Sequence, residues 1–424
     1  MIKKTNRKKV IHCNLSEICT SVVFNPDITV LVHAPRSCSN IIYNAITNMR
    51  RRINLRFGKA LPSQQDNIFM TGISDKEAIF GGEKLLKNSI QAVVEEKHPE
   101  CLLVVAGCTA NVIGDDVAAV CEAASQEYKL PIIYIPGAGF MSEQSEEGIL
   151  LATKYLYKKI ADNSVPKDEQ LVAVIGMNQF VQTEEQMAEL QRLFGYFGFT
   201  RVLLPPCGMS LTQLQELNRA SLLAIHAMTK DKLRANQQFV GELAGYLQIP
   251  GLENRLPFSR QETDAYLLAL GEMLHAPAKA EQAIELEHQR WRDECQRLAR
   301  SLGGVHYILA IGHALRVTNP LQIIDCAEAV GMVLEKIVYL DSLTEAEIKE
   351  YETVLSQNNI NSERIKEAYF PKCRSQVLVL TSDYRGIFSK QYCYKRKRIG
   401  VGGAVNLLKG ISSMLKQGGL LKYE

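Results

Sequence analysis

The chain has 424 residues, of which 46% are hydrophobic and 22% charged, and this composition is typical of a globular protein with about three domains. A net charge of +3 is too small to indicate nucleic-acid or membrane binding, and no window approaches the roughly 18 apolar residues that a membrane helix needs. No apolar stretch of signal-peptide length follows the basic start MIKKTNRKK, so we expect a cytoplasmic protein.

Short apolar runs alternate with amphipathic stretches along the chain. Strands that alternate with helices form βαβ units, so the pattern predicts an α/β fold of three doubly wound, Rossmann-like domains with mainly parallel sheets. The runs that predict strands are 28–33, 102–106, 132–135, 171–175, 202–204, 222–225, 307–311, 337–340 and 377–380. The stretches that predict helices are 39–51, 84–96, 184–197, 232–247 and 345–356.

Two polar segments suggest the domain boundaries. The first is NSVPKD at 163–168, and the second is a long polar helix pattern at 276–300 that carries Trp291. We therefore expect an α/β domain at 1–165, a flavodoxin-like α/β domain at 166–275, and a C-terminal α/β domain at 276–424 that begins with the long helix.

The chain contains eleven cysteines, an odd and high number for a cytosolic protein, in which disulfides are rare. Metal or cluster ligation, a reactive thiol and core packing therefore remain open. Cys38 and Cys108 each follow a predicted buried strand, at the sheet edge where α/β proteins bind ligands. A helix start after Cys38 favours a thiolate. Nothing local places Cys13, and a zinc site is the weaker alternative because no CxxC pair occurs.

Four segments together resemble component 1 of nitrogenase and its relatives. They are Cys13 with its spacing to Cys38, LVHAPRSC at 31–38, GISDKEAIFGGEKLL at 72–86 and GCTANVIGDD at 107–116. The cysteine pattern most resembles the β subunit of the molybdenum–iron protein. This resemblance implies that Cys13, Cys38 and Cys108 bind the iron of an iron–sulfur cluster. It extends more weakly over 166–260, and in the last domain GVGGAVNLL at 400–408 carries it.

The chain departs from that family at three places. Ala227 follows His226 where nitrogenase α subunits have a cofactor-binding cysteine, and the stretch 388–400 lacks the α subunit's histidine. Gly139 precedes Phe140 where the β subunit has a serine near its relay cluster. We therefore do not expect this chain to bind the nitrogenase cofactor in the usual way. The resemblance favours a [4Fe–4S] cluster over a P-cluster-like eight-iron cluster.

Three cysteines leave a cubane one ligand short. Cys19, a partner subunit or a small molecule would supply the fourth, and we favour the partner because the family shares clusters across interfaces. His226 and His313 are the candidate catalytic residues that would line a substrate cleft. His33 is expected to be a satisfied histidine or a hydrogen-bond donor to the cluster. We interpret Cys101, Cys121, Cys295 and Cys326 as core residues, and Cys207 more as core than as a cleft residue.

Three local patterns surround the two strand-end cysteines. Ser74 and Glu77 fit a helix capping box. The pair Gly81-Gly82 permits close backbone approach, and Asp115-Asp116 is expected in the first turn of a helix.

The resemblance implies a subunit of a nitrogenase-like reductase. A separate ATP-dependent, homodimeric iron protein would deliver low-potential electrons to the cluster, since this chain has no GxxxxGK[ST] pattern. Its other partner would be a second component-1-like subunit or a second copy of itself. One alternative is a non-catalytic scaffold for metallocofactor assembly, and another is an interaction subunit without a cluster. The substrate is not predicted.

Overall fold

A computed structural model describes residues 14–57, 67–137, 148–177, 183–226, 230–312, 319–340, 343, 345–360, 362–364, 377–381, 390–393, 398–416 and 422–423. Within these residues the chain forms three sheets in sequence order, and every strand pair in them is parallel. The predicted α/β class with three mainly parallel sheets is confirmed.

The first sheet has the strand order β2-β1-β3-β4. Its elements are α1 (Asn14–Val22), β1 (Ile28–His33), α2 (Arg36–Phe57), β2 (Ile68–Met70), α3 (Asp75–Phe80), α4 (Glu83–Lys97), β3 (Cys101–Ala106), α5 (Cys108–Ile113), α6 (Val117–Tyr128), β4 (Ile132–Pro136) and α7 (Gly148–Ile160).

The second sheet has the order β6-β5-β7-β8. Its elements are β5 (Asp168–Ile175), α8 (Glu184–Gly195), β6 (Arg201–Leu203), α9 (Leu211–Gln215), a short 3-10 helix (Glu216–Arg219), β7 (Ala220–Ile225), α10 (Lys230–Leu247), β8 (Gly251–Arg255) and α11 (Ser259–Met273).

The long helix α12 (Pro277–Leu302) leads into the third sheet, whose order is β11-β10-β9-β12-β13-β14. The remaining elements are β9 (His306–Ile311), α13 (Pro320–Glu328), β10 (Val333–Tyr339), α14 (Glu345–Ser356), β11 (Ser362–Arg364), β12 (Leu378–Thr381), β13 (Gln391–Cys393), α15 (Gly400–Lys416) and β14 (Lys422–Tyr423).

Each sheet is covered on both faces, which explains the continuous apolar runs in its central strands. All six residues of β1 and all six of β3 are buried. Alternate residues of these strands belong to two separate hydrophobic clusters, one on each face of the sheet. The second sheet likewise lies between two clusters. The apolar runs therefore predict the central strands well, because burial on both faces removes any polar alternation.

The sheets span 28–136, 168–255 and 306–423. The domain boundaries at 165 and 275 remain a prediction. No helix among the described residues is long and apolar enough to cross a membrane.

A buried charged network joins the second and third parts of the chain. Glu189 of α8 accepts a hydrogen bond from Gly402 N at the start of α15, at 2.6 Å. Its carboxylate also pairs with Arg192 on the same helix and with Arg290 of α12, at 3.0 Å for the latter. Arg192 further contacts Glu287 of α12. Two carboxylates and two guanidinium groups thus balance each other between α8, α12 and α15.

Candidate iron–sulfur site

Strands β1 and β3 are neighbours in the first sheet, and His33 lies opposite Ala106 at their carboxyl ends. Cys38 follows β1 and Cys108 follows β3. Adjacent strands lie about 5 Å apart, so the two cysteine-bearing segments leave the same sheet edge side by side. This is the edge at which open α/β sheets bind ligands.

Cys38 is the third residue of α2, and this corrects the expectation that the helix begins at residue 39. The helix begins at Arg36, and Cys38 N donates to Pro35 O at 3.0 Å, which closes the first turn. Pro35 itself forms an isolated parallel bridge with Ile73. Cys38 is partly exposed in the first turn of a 22-residue helix, and it packs against the hydrophobic cluster on one face of the first sheet.

Cys108 is the first residue of α5 and is also partly exposed. The preceding Gly107 donates from its backbone N to His33 O at 2.9 Å, which extends the contact between the two strands by one residue. A Cβ atom at Gly107 would lie only 2.9 Å from the Cβ of Ala34. Glycine is therefore required at 107 for the two segments to run this close together.

Cys13 lies outside the described residues, but the helix that follows it points to the same edge. Helix α1 begins at Asn14 and ends at Val22, before the amino end of β1, so it runs antiparallel to that strand. Leu15 in its first turn lies against Gly137, whose Cβ would be 3.1 Å from Leu15 Cδ1. Gly137 N donates to Ala106 O at 2.9 Å, at the carboxyl end of β3.

The other cysteines whose side chains the structure describes are core residues. Cys19, Cys101, Cys121, Cys207, Cys295 and Cys326 are all buried. Burial raises the pKa of Cys101, Cys121 and Cys295 to about 12, and it raises the pKa of Cys207 and Cys326 further still. These thiols stay protonated near neutral pH, as expected for cysteines that pack in the core. Cys19 packs in the hydrophobic cluster beneath α1, which argues against the fourth-ligand role considered for it.

The pairs Gly81-Gly82 and Asp115-Asp116 contact each other. Asp115 Oδ1 accepts from Gly82 N at 2.7 Å, and a Cβ at Gly82 would lie 2.5 Å from Asp115 Oδ2. The close backbone approach expected at the glycine pair is thus to Asp115 of the same chain. Asp116 is the N-cap of α6 and accepts from Ala119 N at 3.0 Å, so neither aspartate lies in the first turn proper.

His33 is buried, and both of its ring nitrogens have protein partners. Nε2 lies 3.0 Å from Asp115 Oδ2, and Nδ1 lies 3.0 Å from Thr71 Oγ1. These contacts support the satisfied-histidine interpretation and leave no ring nitrogen for a bond to a cluster. Sequence reasoning missed the link to Asp115, since 82 residues separate the two positions.

Helix α3 starts as its sequence predicts. Ser74 N donates to Glu77 Oε2 at 3.0 Å, and the Ser74 hydroxyl reaches the same oxygen, so the expected capping box is confirmed. Hydrogen bonds from Ser74 lower the pKa of the Glu77 carboxyl. Helix α3 lies beside α5, and its last two residues, Ile79 and Phe80, are exposed.

Of the two candidate catalytic histidines, His226 lies within the described residues. His226 is buried at the carboxyl end of β7, where its backbone N donates to Ile175 O at 2.8 Å and its carbonyl accepts from Asn236 Nδ2 at 3.1 Å. His313, Ala227 and Gly139 lie outside the described residues. A substrate cleft lined by His226 and His313 stays a prediction.

The residues at this edge fit the donor set of an iron–sulfur cluster. Thiolates are the ligands such clusters require. The two accessible cysteines lie on neighbouring segments, and glycines at 107 and 137 keep the edge free of side-chain bulk. Among the described residues no group of three His, Cys, Asp or Glu side chains forms a metal site, which agrees with Cys13 being outside them.

Comparison with known proteins gives the family. A family model described as nitrogenase component 1 type oxidoreductase matches residues 18–369. A nitrogenase iron-molybdenum cofactor biosynthesis protein NifE from Clostridium pasteurianum is 34% identical over 161 residues, which cover 38% of this chain and 33% of that protein. The nitrogenase molybdenum-iron protein alpha chain of Methanosarcina barkeri is 23% identical over 295 residues, or 67% of this chain and 52% of that one.

The matched segment thus spans about a third of the length of the NifE relative and about half of the alpha chain. A solved structure described as "Nitrogenase Cp1 at pH 5" superposes with a TM-score of 0.62 at 17% identity, over 96% of this chain and 90% of that chain. That agreement shows a shared fold. With the family model matching most of the sequence, the chain belongs to the nitrogenase component 1 type oxidoreductase family.

Proposed function

We propose that this chain binds an iron–sulfur cluster through Cys13, Cys38 and Cys108 and acts as a scaffold subunit in the assembly of a metallocofactor. The observation that carries the cluster assignment is the position of Cys38 and Cys108. They are partly exposed thiols on segments that leave adjacent parallel strands at one sheet edge. Helix α1 begins at this edge directly after Cys13.

A partner subunit completes the site in this proposal. Three cysteines from this chain leave one position of a [4Fe–4S] cluster for another ligand. Helices α3 and α5 lie beside each other, and both carry large exposed apolar side chains. These are Ile79 and Phe80 of α3 and Val112 of α5, the helix that begins at Cys108, and they are 74%, 81% and 69% exposed. They are the candidate contact residues for a partner. We propose that a second component-1-like subunit or a second copy of the chain supplies the fourth ligand.

The names of the relatives support a scaffold over a turnover enzyme. Several of them are named as cofactor biosynthesis proteins, including NifE of Clostridium pasteurianum and of Methanosarcina barkeri. The chain also has Ala227 after His226, and the missing thiolate at that position is compatible with either role.

The second candidate is a subunit of a nitrogenase-like reductase that receives electrons from a separate ATP-dependent iron protein. The similarity to a molybdenum-iron protein alpha chain, which extends over two thirds of this chain, favours it. The same cysteine site serves both candidates.

When bound, an iron–sulfur cluster would store and pass single electrons. This chain's residues would bind it by thiolates and set its surroundings. Cys38 offers its thiolate in the first turn of α2, where free backbone N–H groups and the helix dipole favour negative charge. The buried ends of β1 and β3 lie behind the site and exclude water from that side.

Transfer of labelled iron to an acceptor protein distinguishes the scaffold from the reductase, which would instead reduce a substrate. The chain would be purified without oxygen together with any co-encoded partner, loaded with 55Fe, and mixed with a cofactor-deficient acceptor of the component 1 family. Transfer of label to the acceptor, without reduction of substrates when ATP and an iron protein are added, is the expected result. ATP-dependent reduction of a substrate without label transfer would overturn the scaffold assignment and establish the reductase.

A further inference from the structure

The buried pair His33–Asp115 connects the two cysteine-bearing segments. His33 is the last residue of β1, five residues before Cys38, and it is fully buried. Asp115 comes seven residues after Cys108, just beyond the end of α5, and its side chain is 2% exposed. The 3.0 Å contact between them therefore ties the end of one cysteine segment to the start of the other.

The hydrogen bonds of the His33 ring determine its tautomer and its orientation. A carboxylate only accepts hydrogen bonds, so Nε2 of His33 carries the proton and donates to Asp115 Oδ2. Nδ1 then accepts from the hydroxyl of Thr71, at 3.0 Å. With both nitrogens engaged, the ring has one orientation and one tautomer.

The other oxygen of the Asp115 carboxylate is held by a second hydrogen bond. Asp115 Oδ1 accepts from Gly82 N at 2.7 Å, at the N-cap of α4. Gly82 also has no room for a Cβ, which would lie 3.1 Å from the His33 ring and 2.5 Å from Asp115 Oδ2. Three segments, β1, α4 and the turn after α5, thus converge on one carboxylate.

This convergence limits how α5 moves. The helix has only six residues and ends at Gly114, which has a φ of +82°. At its start, Gly107 is held to His33 O, and just beyond its end Asp115 is held to the His33 ring. Both ends of the segment that carries Cys108 are therefore anchored to the same residue of β1, the strand that leads to Cys38.

We propose that His33 and Asp115 are positioning residues that hold Cys38 and Cys108 at the spacing a cluster requires. The inference rests on the proposed cluster, but the positioning itself is a property of the polypeptide. Outer hydrogen bonds that orient ligands commonly govern how tightly a metal is held.

The first arm of the test uses the cluster-free chain. A short bifunctional thiol reagent is added, and peptide mapping measures the yield of the Cys38–Cys108 cross-link. Asp115→Ala is compared with two variants. Asp115→Asn keeps the shape and the acceptor for Gly82 N, and its amide NH2 donates to His33 Nε2 once the ring takes the other tautomer and donates from Nδ1 to the Thr71 hydroxyl. Asp116→Ala removes the adjacent N-cap without touching His33. We expect the yield to fall in Asp115→Ala and to stay near the wild-type level in the other two.

The second arm uses the anaerobically purified, iron-loaded protein. We expect Asp115→Ala to lose iron to a chelator about 10- to 100-fold faster than wild type, the range typical when a ligand-orienting hydrogen bond is removed. Asp116→Ala should lose iron at the wild-type rate. If Asp115→Ala does not fold, Thr71→Val takes its place, with a smaller change in the same direction, because it frees only Nδ1 of His33.

The two arms separate the inference from the proposed function. Equal cross-link yields in Asp115→Ala and Asp116→Ala, whether both fall or neither does, would overturn the positioning role. Thr71→Val with wild-type yield would do the same where it is the variant used. A cross-link that depends on Asp115 in a chain that never binds iron would support the positioning and reject the cluster.

Discussion

The side chain of Leu15 packs against Gly137, so the first turn of α1 lies over the carboxyl end of β3 and β4. This contact brings the first turn of α1 to the edge that carries Cys38 and Cys108.

Gly137→Ala tests that arrangement. The added methyl would lie 2.6 Å from Ala106 O and 3.1 Å from Leu15 Cδ1, so the backbone at the end of β3 and β4 must shift and the Leu15 contact is crowded. We expect a loss of about 1–3 kcal/mol in the free energy of unfolding, as for overpacked cores, together with reduced iron content. Gly241→Ala in α10 is the control, because a Cβ there meets nothing within 4 Å. It should gain roughly 0.5–1 kcal/mol in urea denaturation. Equal behaviour of the two variants would contradict the packing.

Glu189→Gln tests the link between α8, α12 and α15. Glu189 is buried beside Arg192 and Arg290, whose side chains are partly exposed. Loss of its charge should lower the free energy of unfolding by about 1–3 kcal/mol, below the value for a fully buried pair because solvent reaches both arginines. Glu285→Gln, which breaks the exposed pair with Arg292, should have no measurable effect by the same denaturation measurement. A Glu189 variant as stable as the Glu285 variant would show that the network is not needed.

The stability of the chain should depend on pH through His33. Burial lowers the pKa of His33 below its ordinary value of 6.5, and Asp115 only partly offsets this. The native state therefore keeps the ring neutral while the unfolded state takes up a proton, so stability is lost as pH falls through 6.5. The stability difference between wild type and His33→Gln should shrink from pH 7.5 to about pH 5.5. A difference that grows on acidification would mean that His33 is held as an imidazolium.

Thiol alkylation distinguishes the two classes of cysteine. At pH 8 we expect the cluster-free chain to react at Cys38 and Cys108, which are partly exposed. Cys101, Cys121 and Cys295, with pKa values raised to about 12, should react only after unfolding. Mass spectrometry of peptides from a time course provides the measurement. Rapid labelling of Cys101 in the folded chain would contradict the burial that separates the classes.

The sequence predicts most of the central framework because buried parallel strands are continuously apolar. The pattern at 28–33 matches β1 residue for residue, and the pattern at 345–356 matches α14. Short edge strands such as β2 and β11, with three residues each, carry no periodicity and were not predicted. The start of α2 was placed three residues late, since Arg36 and Ser37 are polar and follow a proline.

The candidate site was predicted in part. Strand ends alone placed Cys38 and Cys108 at one edge, and the structure agrees. The hydrogen bond between His33 and Asp115 could not be predicted from the sequence, because it joins positions 82 residues apart and depends on the backbone conformation after α5, at Gly114. The resemblance to the family singled out the segments 31–38 and 107–116, which contain His33 and Asp115. It did not indicate that these two side chains contact each other.

Iron content tests the central claim most directly. The chain would be purified without oxygen, alone and with any co-encoded partner. Iron per chain and the EPR spectrum of the dithionite-reduced sample would be measured for wild type, Cys38→Ala, Cys108→Ala and the buried control Cys101→Ala. We predict cluster iron and an S = 1/2 signal in wild type and Cys101→Ala, and their loss in Cys38→Ala and Cys108→Ala. Iron retained in both of those variants, or absent from folded wild-type protein, would contradict the assignment of this sheet edge as a cluster site.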